Sequence, residues 1–200
     1  MIRQLTLSGG KRKTITAILG SVLILCSFGL AEAQTQTKEE KKTLSQVVDS
    51  ATQRLERDFV PAAEAMPEDK YSFAPTNGEF KGVRTFAEEI KHVAATNYLV
   101  ASLILGEKPP VDVNDEKGPD RVKSKAEILK YLKDSYAYAH KAVATITEAN
   151  VVEPIPSFDG KSTTTRLSLA MLFTWHGYDH YGQMVEYLRM NGIVPPASRK

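Results

Sequence analysis

Residues 175–183 read WHGYDHYGQ, and this segment places two histidines, His176 and His180, four positions apart. In an α-helix, positions i and i+4 lie on the same face, one turn from each other. The apolar residues around them recur at the same helical spacing, and they are Leu169, Leu172, Phe173, Met184 and Tyr187. The pattern predicts an amphipathic helix with both imidazoles on its buried side, where they could hold one metal ion.

The first 33 residues are predicted to be an export signal. Three bases at 11–13 precede a nearly uncharged apolar stretch at 15–30, and Ala31-Glu32-Ala33 has the small-x-small pattern of a cleavage site. A retained transmembrane anchor is the alternative, but glycines and serines interrupt the stretch, which falls short of the ~20 apolar residues that span a bilayer. We therefore expect an exported protein, periplasmic or extracellular, with no stable membrane span after cleavage.

Cleavage would change both the charge and the chemistry of the chain. The whole sequence has 26 basic and 24 acidic residues, but residues 1–33 contain four of those bases and one of those acids, which leaves the mature chain near −1. Such a chain has no electrostatic footprint for nucleic acid. Cys26 is the only cysteine and leaves with the signal, so any metal must be bound by nitrogen and oxygen donors.

After a polar lead-in at 34–42 that we expect to be disordered, a single domain is predicted over residues 43–200. Four helices and no convincing sheet are predicted, at about 44–66, 85–105, 124–150 and 165–190. Thr85 with Glu88, and Ser124 with Glu127, match the capping box that opens a helix. Pro61 is expected to kink or split the first helix. The link at 151–162 could form an extended turn or a small hairpin.

Each predicted helix has an apolar stripe; that of the third is Ile128, Leu132, Tyr136, Ala139, Val143 and Ile146. Four such helices bury their stripes most simply as an all-α four-helix bundle, whose interior is a common place for metal sites. A third ligand for His176 and His180 would come from His92 or His140. His92 is favoured, because it lies at the edge of the buried face of the second helix, near Leu99 in helical rotation.

The chain resembles the DinB-like superfamily of metal-binding helical bundles. The resemblance covers nearly the whole domain and rests on residues 66–75 (MPEDKYSFAP), residues 84–94 (RTFAEEIKHVA) and the last helix with its His-x-x-x-His pair, followed by Gly192 and Pro195-Pro196. In that family, one histidine of the second helix and the pair of the last helix bind a divalent metal. The resemblance therefore implies a DinB-type four-helix bundle with His92, His176 and His180 as metal ligands.

The resemblance also implies a range of activities. Some relatives are S-transferases or isomerases that use a low-molecular-weight thiol such as bacillithiol, mycothiol or glutathione, and many have no assigned reaction. Export fits that thiol chemistry poorly, because reduced thiols belong mainly to the cytosol. Three imidazoles leave at least one coordination position for water or substrate. The donor set favours zinc or nickel, with iron and copper as alternatives.

Two further residues are candidates for supporting the site. Gln183 lies on the same helix face as His176 and could hydrogen-bond a water on the metal, and Asp179 could orient an imidazole through its free N–H. Solvated or merely structural roles are the alternative for both. A di-iron carboxylate site is excluded by ligand count, since only Glu89-Ile90-Lys91-His92 supplies the required Glu-x-x-His motif.

Two functions remain open at this stage. The first is a metal-dependent transferase or hydrolase that acts on a small molecule, with no assigned catalytic side chain beyond the ligands. The second is a non-catalytic metal-binding or metal-stabilised bundle with a role in stress response. An open coordination position beside a pocket would favour the enzyme. Homodimer formation is compatible with a helical bundle, although the apolar stripes do not require it.

Overall fold

The computed structural model describes residues 41–199. The predicted signal peptide at 1–33 and most of the predicted lead-in at 34–42 lie outside this range. Lys41 and Lys42 are exposed and have no regular secondary structure. No helix within residues 41–199 combines the length and the apolar character that crossing a membrane requires.

Four helices account for most of the described chain, as predicted for an all-α four-helix bundle. They are α1 (Leu44–Ala65), α2 (Phe86–Leu105), α3 (Lys125–Val143) and α4 (Arg166–Met190). Short 3-10 turns cover Glu68–Lys70 and Pro196–Ser198. A two-stranded antiparallel hairpin of β1 (Pro154–Pro156) and β2 (Thr163–Thr165) lies between α3 and α4, where the sequence indicated a small hairpin.

Local hydrogen bonds fix the first turns of α2 and α3. Thr85 accepts from the backbone N–H of Glu88, whose carboxylate accepts from the backbone N–H of Thr85, and Ser124 forms the same reciprocal pair with Glu127. Both predicted capping boxes are therefore confirmed, and α2 ends as expected at Gly106, which adopts a left-handed conformation (φ 71°). These contacts set the register in which α2 presents His92 to the bundle interior.

One prediction about the helices is wrong, and the alternatives given for a second are narrowed. The third helix ends at Val143 and not near Asn150, because the side chain of Asn150 accepts from the backbone N–H of Thr147 (2.8 Å) and donates to the carbonyl oxygen of Thr145 (3.0 Å). These local bonds replace helical ones with a turn. Of the kink or split predicted at Pro61, the structure excludes the split, because α1 is continuous through this residue. The missing N–H leaves the carbonyl of Arg57 without its helical partner, but Arg57 is an exposed residue where water can solvate that group.

The core is built around α2, which packs against both α3 and α4. All six predicted stripe residues of the third helix region are buried. One cluster of buried side chains centres on Leu55, Phe59 and Phe86, and a second centres on Val100, Val143 and Phe173. Each such side chain contributes roughly 1.5–3 kcal/mol when it leaves water. The packing between α2 and α4 is what brings His92 opposite His176 and His180.

Candidate metal centre

Three of the four histidines of the chain meet at one point between α2 and α4. Nε2 of His176 lies 3.1 Å from Nε2 of His92 and 3.2 Å from Nε2 of His180. All three ligand atoms fall within 4.8 Å of one another. Nitrogens that each lie about 2.1 Å from one ion, at bond angles of about 90–110°, are about 3.0–3.4 Å apart. The two measured separations therefore match those of imidazoles around a common ion.

The outer nitrogens of two of these rings have acceptors. Nδ1–H of His92 donates to the backbone carbonyl oxygen of Glu116 (2.9 Å), and Nδ1–H of His180 donates to the carboxylate of Glu89 (2.5 Å). A carbonyl oxygen can only accept, and an ionised carboxylate likewise, so a neutral ring in either position has its lone pair on Nε2. Both lone pairs thus face the interior of the cluster.

This arrangement fits a metal better than it fits a metal-free network of hydrogen bonds. His176 has at most one proton to offer from Nε2, so it cannot make a full hydrogen bond to His92 and to His180 at once. At least one inward lone pair is left without a good donor in a buried setting, which is costly. A divalent cation would satisfy all three nitrogens together, so the three histidines form a cluster that could hold a metal ion.

Burial keeps two of the rings in the form that binds metals. Burial lowers the pKa of His176 to about 3, and the nearby His180, His92 and Arg84 act in the same direction. Burial also lowers the pKa of His92, against the opposing effect of its hydrogen bond to Glu116. Both imidazoles are therefore neutral near pH 7, which is the ligating form.

A strained loop supplies the carbonyl that orients His92. Asn114, Asp115 and Glu116 all have positive φ angles, of 43°, 50° and 63°. The loop is closed by the side-chain amide of Asn114, which donates to the carbonyl oxygen of Gly118 (3.2 Å) and to Asp120 (3.1 Å). Asn and Asp tolerate this conformation better than Glu does, so the surrounding contacts must hold Glu116 in it. The result is an acceptor aimed at Nδ1 of His92.

Glu89 is the supporting residue that the sequence did not identify. It is only 1% exposed, lies one turn before His92 on α2, and binds His180 on α4. The Glu-x-x-His spacing of Glu89 and His92 was the available signal, since residues three apart share a helix face. A di-iron site needs two copies of that motif, so the single copy in the sequence did not by itself indicate a role for Glu89.

The structure places Gln183 and Asp179 at the margin of the cluster. The side-chain amide of Gln183 lies 3.5 Å from Nδ1 of His180 and 3.5 Å from the carboxylate of Asp179. Asp179 is exposed. The role predicted for it, that of orienting an imidazole through its N–H, is filled at His180 by Glu89. Gln183 also lines a cavity of about 620 Å³, together with Glu89, the residue that accepts from His180.

Replacing Glu89 by glutamine is expected to weaken metal binding by about 10–100-fold, the usual cost of losing a charged partner behind a ligating histidine. Glutamine keeps the shape and an acceptor oxygen, but it lacks the negative charge that makes His180 a stronger donor to a cation. Metal titration of the purified variant measures this. Asp179→Asn on α4 is the matched control, and equal losses in both variants would contradict the assignment to Glu89.

The fourth histidine, His140 on α3, lies in a separate ion-pair network. Its Nδ1 is 2.5 Å from Asp49 and its Nε2 is 3.0 Å from Glu56, both on α1. The sequence favoured His92 over His140 as the third member of the cluster, and the structure brings His92 there. Burial acts to lower the pKa of His140, but the hydrogen bonds to Glu56 and Asp49 outweigh it, and the pKa is raised above 6.5.

A raised pKa makes the stability that His140 provides depend on pH. The folded state holds this proton more tightly than the unfolded state, so the contribution is complete below about pH 6.5 and disappears as pH rises through the folded pKa. We expect His140→Gln to lower the free energy of unfolding by about 0.5–1 kcal/mol more at about pH 6 than at about pH 9. Urea unfolding at the two pH values measures the difference, and a cost that does not change with pH would contradict it.

A helical bundle with three imidazoles converging from two helices defines the class of protein, and sequence comparison identifies the family. A family model described as the DinB superfamily matches residues 51–184. The chain belongs to the DinB superfamily, as its sequence motifs indicated. No curated protein matches the chain significantly.

Two solved structures share this fold at low sequence identity. The chain is similar to a conserved protein from Enterococcus faecalis, with a TM-score of 0.60 and 16% identity over 75% of this chain and 98% of that one. It is also similar to a DinB-like protein from Bacillus cereus, with a TM-score of 0.59 and 16% identity over 78% of this chain and 98% of that one. YfiT from Bacillus subtilis, described as a probable metal-dependent hydrolase with an unusual four-helix bundle topology, aligns with a TM-score of 0.49 and 20% identity over 74% of this chain and 86% of that one.

Proposed function

We propose that the protein binds one divalent metal ion through His92, His176 and His180 and uses it as a hydrolase or transferase that acts on a small molecule. The observation that carries the proposal is the convergence of three imidazole rings. Nδ1 of His92 and Nδ1 of His180 bind the carbonyl of Glu116 and the carboxylate of Glu89, which leaves Nε2 of both rings facing the cluster. Three protein ligands leave coordination positions open, as catalytic sites do and sealed structural sites do not. A bound ion would supply a Lewis acid at this position.

The side chains around the cluster have defined tasks in this proposal. Glu89 fixes the orientation of the His180 ring, and the carbonyl of Glu116 fixes that of the His92 ring, so that Nε2 of both rings faces inward without rearrangement. Gln183 lines the cavity beside His180 and can hydrogen-bond a substrate that enters there. This cavity next to the cluster favours an enzyme over a bundle that only stores or is stabilised by metal. Nitrogen donors favour zinc or nickel, with iron or copper as alternatives.

Metal analysis and an activity screen test the proposal. The protein is purified without a histidine tag, and elemental analysis is expected to find close to one metal ion per chain and to identify the element. The metal-loaded and metal-free forms are then compared on small ester, amide and phosphate-ester probes, and in thiol transfer to a chromogenic electrophile with several low-molecular-weight thiols. Absence of metal after loading with zinc, nickel, iron and copper would refute the proposal. Metal without any metal-dependent turnover would favour the non-catalytic bundle.

We further propose that the protein is exported and that residues 1–33 are removed. The basic segment, the apolar stretch at 15–30 and the Ala31-Glu32-Ala33 site support this. The intact mass of the protein recovered from the producing cell measures it, because cleavage makes Gln34 the first residue. A full-length mass in the membrane fraction would instead indicate a retained anchor.

A further inference from the structure

In the wall of the cavity beside the histidine cluster, the cationic side chains have fewer partners than the acidic ones. Three cationic side chains line it, and they are Arg84, Lys91 and Lys117. Within residues 41–199, neither Arg84 nor Lys117 forms an ion pair, and both are exposed residues. Lys91 donates to the backbone carbonyl oxygen of Pro119 (2.9 Å). Arg84 lies directly before Thr85, the residue that caps α2, and its backbone carbonyl accepts from the hydroxyl of Tyr187 on α4 (3.0 Å).

The three acidic residues in the same wall are already engaged. Glu88 accepts from the backbone N–H and hydroxyl of Thr85 in the capping box of α2. Glu89 accepts from His180, and Asp120 accepts from the side-chain amide of Asn114. Engaged carboxylates compete weakly for Arg84 and Lys117. The two cations therefore remain available to a negatively charged ligand.

The overall balance of the wall favours an anion of low charge. The three cations and three acids of the lining sum to zero. A singly charged group leaves the occupied cavity with a net charge of −1, whereas a phosphate with two charges would leave it at −2, so the single charge disturbs the neutral lining less. The planar fork of an arginine matches a carboxylate with two parallel hydrogen bonds. The volume of about 620 Å³ is also in the range of small-molecule sites, roughly 300–1,000 Å³.

We propose that this cavity binds the carboxylate of a small organic acid through Arg84 and Lys117, and so places the remainder of that molecule against the histidine cluster. This substrate class rests on the function proposed above, because the cluster is where the reaction would occur. Glu89 lines the cavity and accepts from Nδ1 of His180, so one side chain joins the cavity wall to the cluster.

A titration of the metal-free protein tests the carboxylate site apart from metal chemistry. Propionate and inorganic phosphate are added separately to isotope-labelled protein, and the amide signals of Gly82, Val83 and Lys117 are followed by NMR. We expect saturable shifts with propionate and weaker binding of phosphate. Arg84→Gln and Lys117→Gln should each weaken propionate binding by roughly tenfold, the cost of a charged hydrogen bond. Arg57→Gln and Lys161→Gln, exposed cations away from the cavity wall, should leave it unchanged.

The outcomes separate this inference from the proposed function. Metal content is measured on the same variants, and Arg84→Gln is expected to bind metal like the original protein while losing propionate. Propionate binding that is absent, or that is insensitive to both cavity variants, overturns the carboxylate site. Tighter binding of phosphate than of propionate also overturns it. Failure of the original protein to bind metal refutes the metal enzyme, while the titration still decides whether the cavity recognises carboxylates.

Discussion

Replacing His176 by alanine is expected to abolish stoichiometric metal binding. His176 is the central member of the cluster, because its Nε2 is the atom within 3.2 Å of both other Nε2 atoms. Its removal leaves two of the three ligands, and the loss in affinity should exceed the roughly 10–100-fold typical of residues that only support a ligand. Elemental analysis of the purified variant, with a metal titration followed by calorimetry, measures the effect.

The chain provides its own control for this experiment. It contains four histidines, and His140 is the one that lies outside the cluster, between Asp49 and Glu56. His140→Ala should keep the metal content of the original protein, although it will lower stability near neutral pH. Full metal occupancy in His176→Ala, or equal losses in both variants, would show that the three imidazoles are not the binding site.

Apolar periodicity and capping residues were sufficient to predict the bundle. Every residue of the stripe predicted for the third helix is buried, from Ile128 to Val143 on α3 and at Ile146 just beyond its end, because helical spacing relates directly to which side faces the core. The end of α3 was predicted wrongly because the side chain of Asn150 hydrogen-bonds the backbone of Thr145 and Thr147, and these local bonds stabilise a turn in place of another helical turn. Propensity alone distinguishes these alternatives poorly.

The histidines were easier to predict than the groups that orient them. His92, His176 and His180 stand out because histidine is rare in this chain and helical spacing assigns each to a buried face. Glu116 contributes through its backbone carbonyl, and any residue type has that group, so only the left-handed loop reveals it. Asp179 was a candidate because of its proximity in sequence, but rotation of α4 towards α2 turns it to solvent.

The approach of α4 to α1 depends on a glycine beside His176. A Cβ atom on Gly177 would lie 2.2 Å from Cδ2 and 3.3 Å from Cγ of Leu55, which is fully buried on α1. We expect Gly177→Ala to lower the free energy of unfolding by about 1–2 kcal/mol, because overpacking costs roughly 1–3 kcal/mol and alanine recovers at most about 1 kcal/mol in helix propensity. Urea unfolding measures it, and the displaced helix should also weaken metal binding at the adjacent His176.

Gly182, five residues further along the same helix, separates the steric effect from the general effect of adding a methyl group. A Cβ at Gly182 meets no atom within 4 Å, so Gly182→Ala should raise stability by about 0.5–1 kcal/mol through helix propensity alone. Shortening the neighbour tests the contact itself: in a Gly177→Ala background, Leu55→Ala removes the atoms that clash, so the two losses should be less than additive. Equal stability of Gly177→Ala and Gly182→Ala would mean that Leu55 does not limit the approach of the helices, and the close packing beside the histidine cluster would then have another cause.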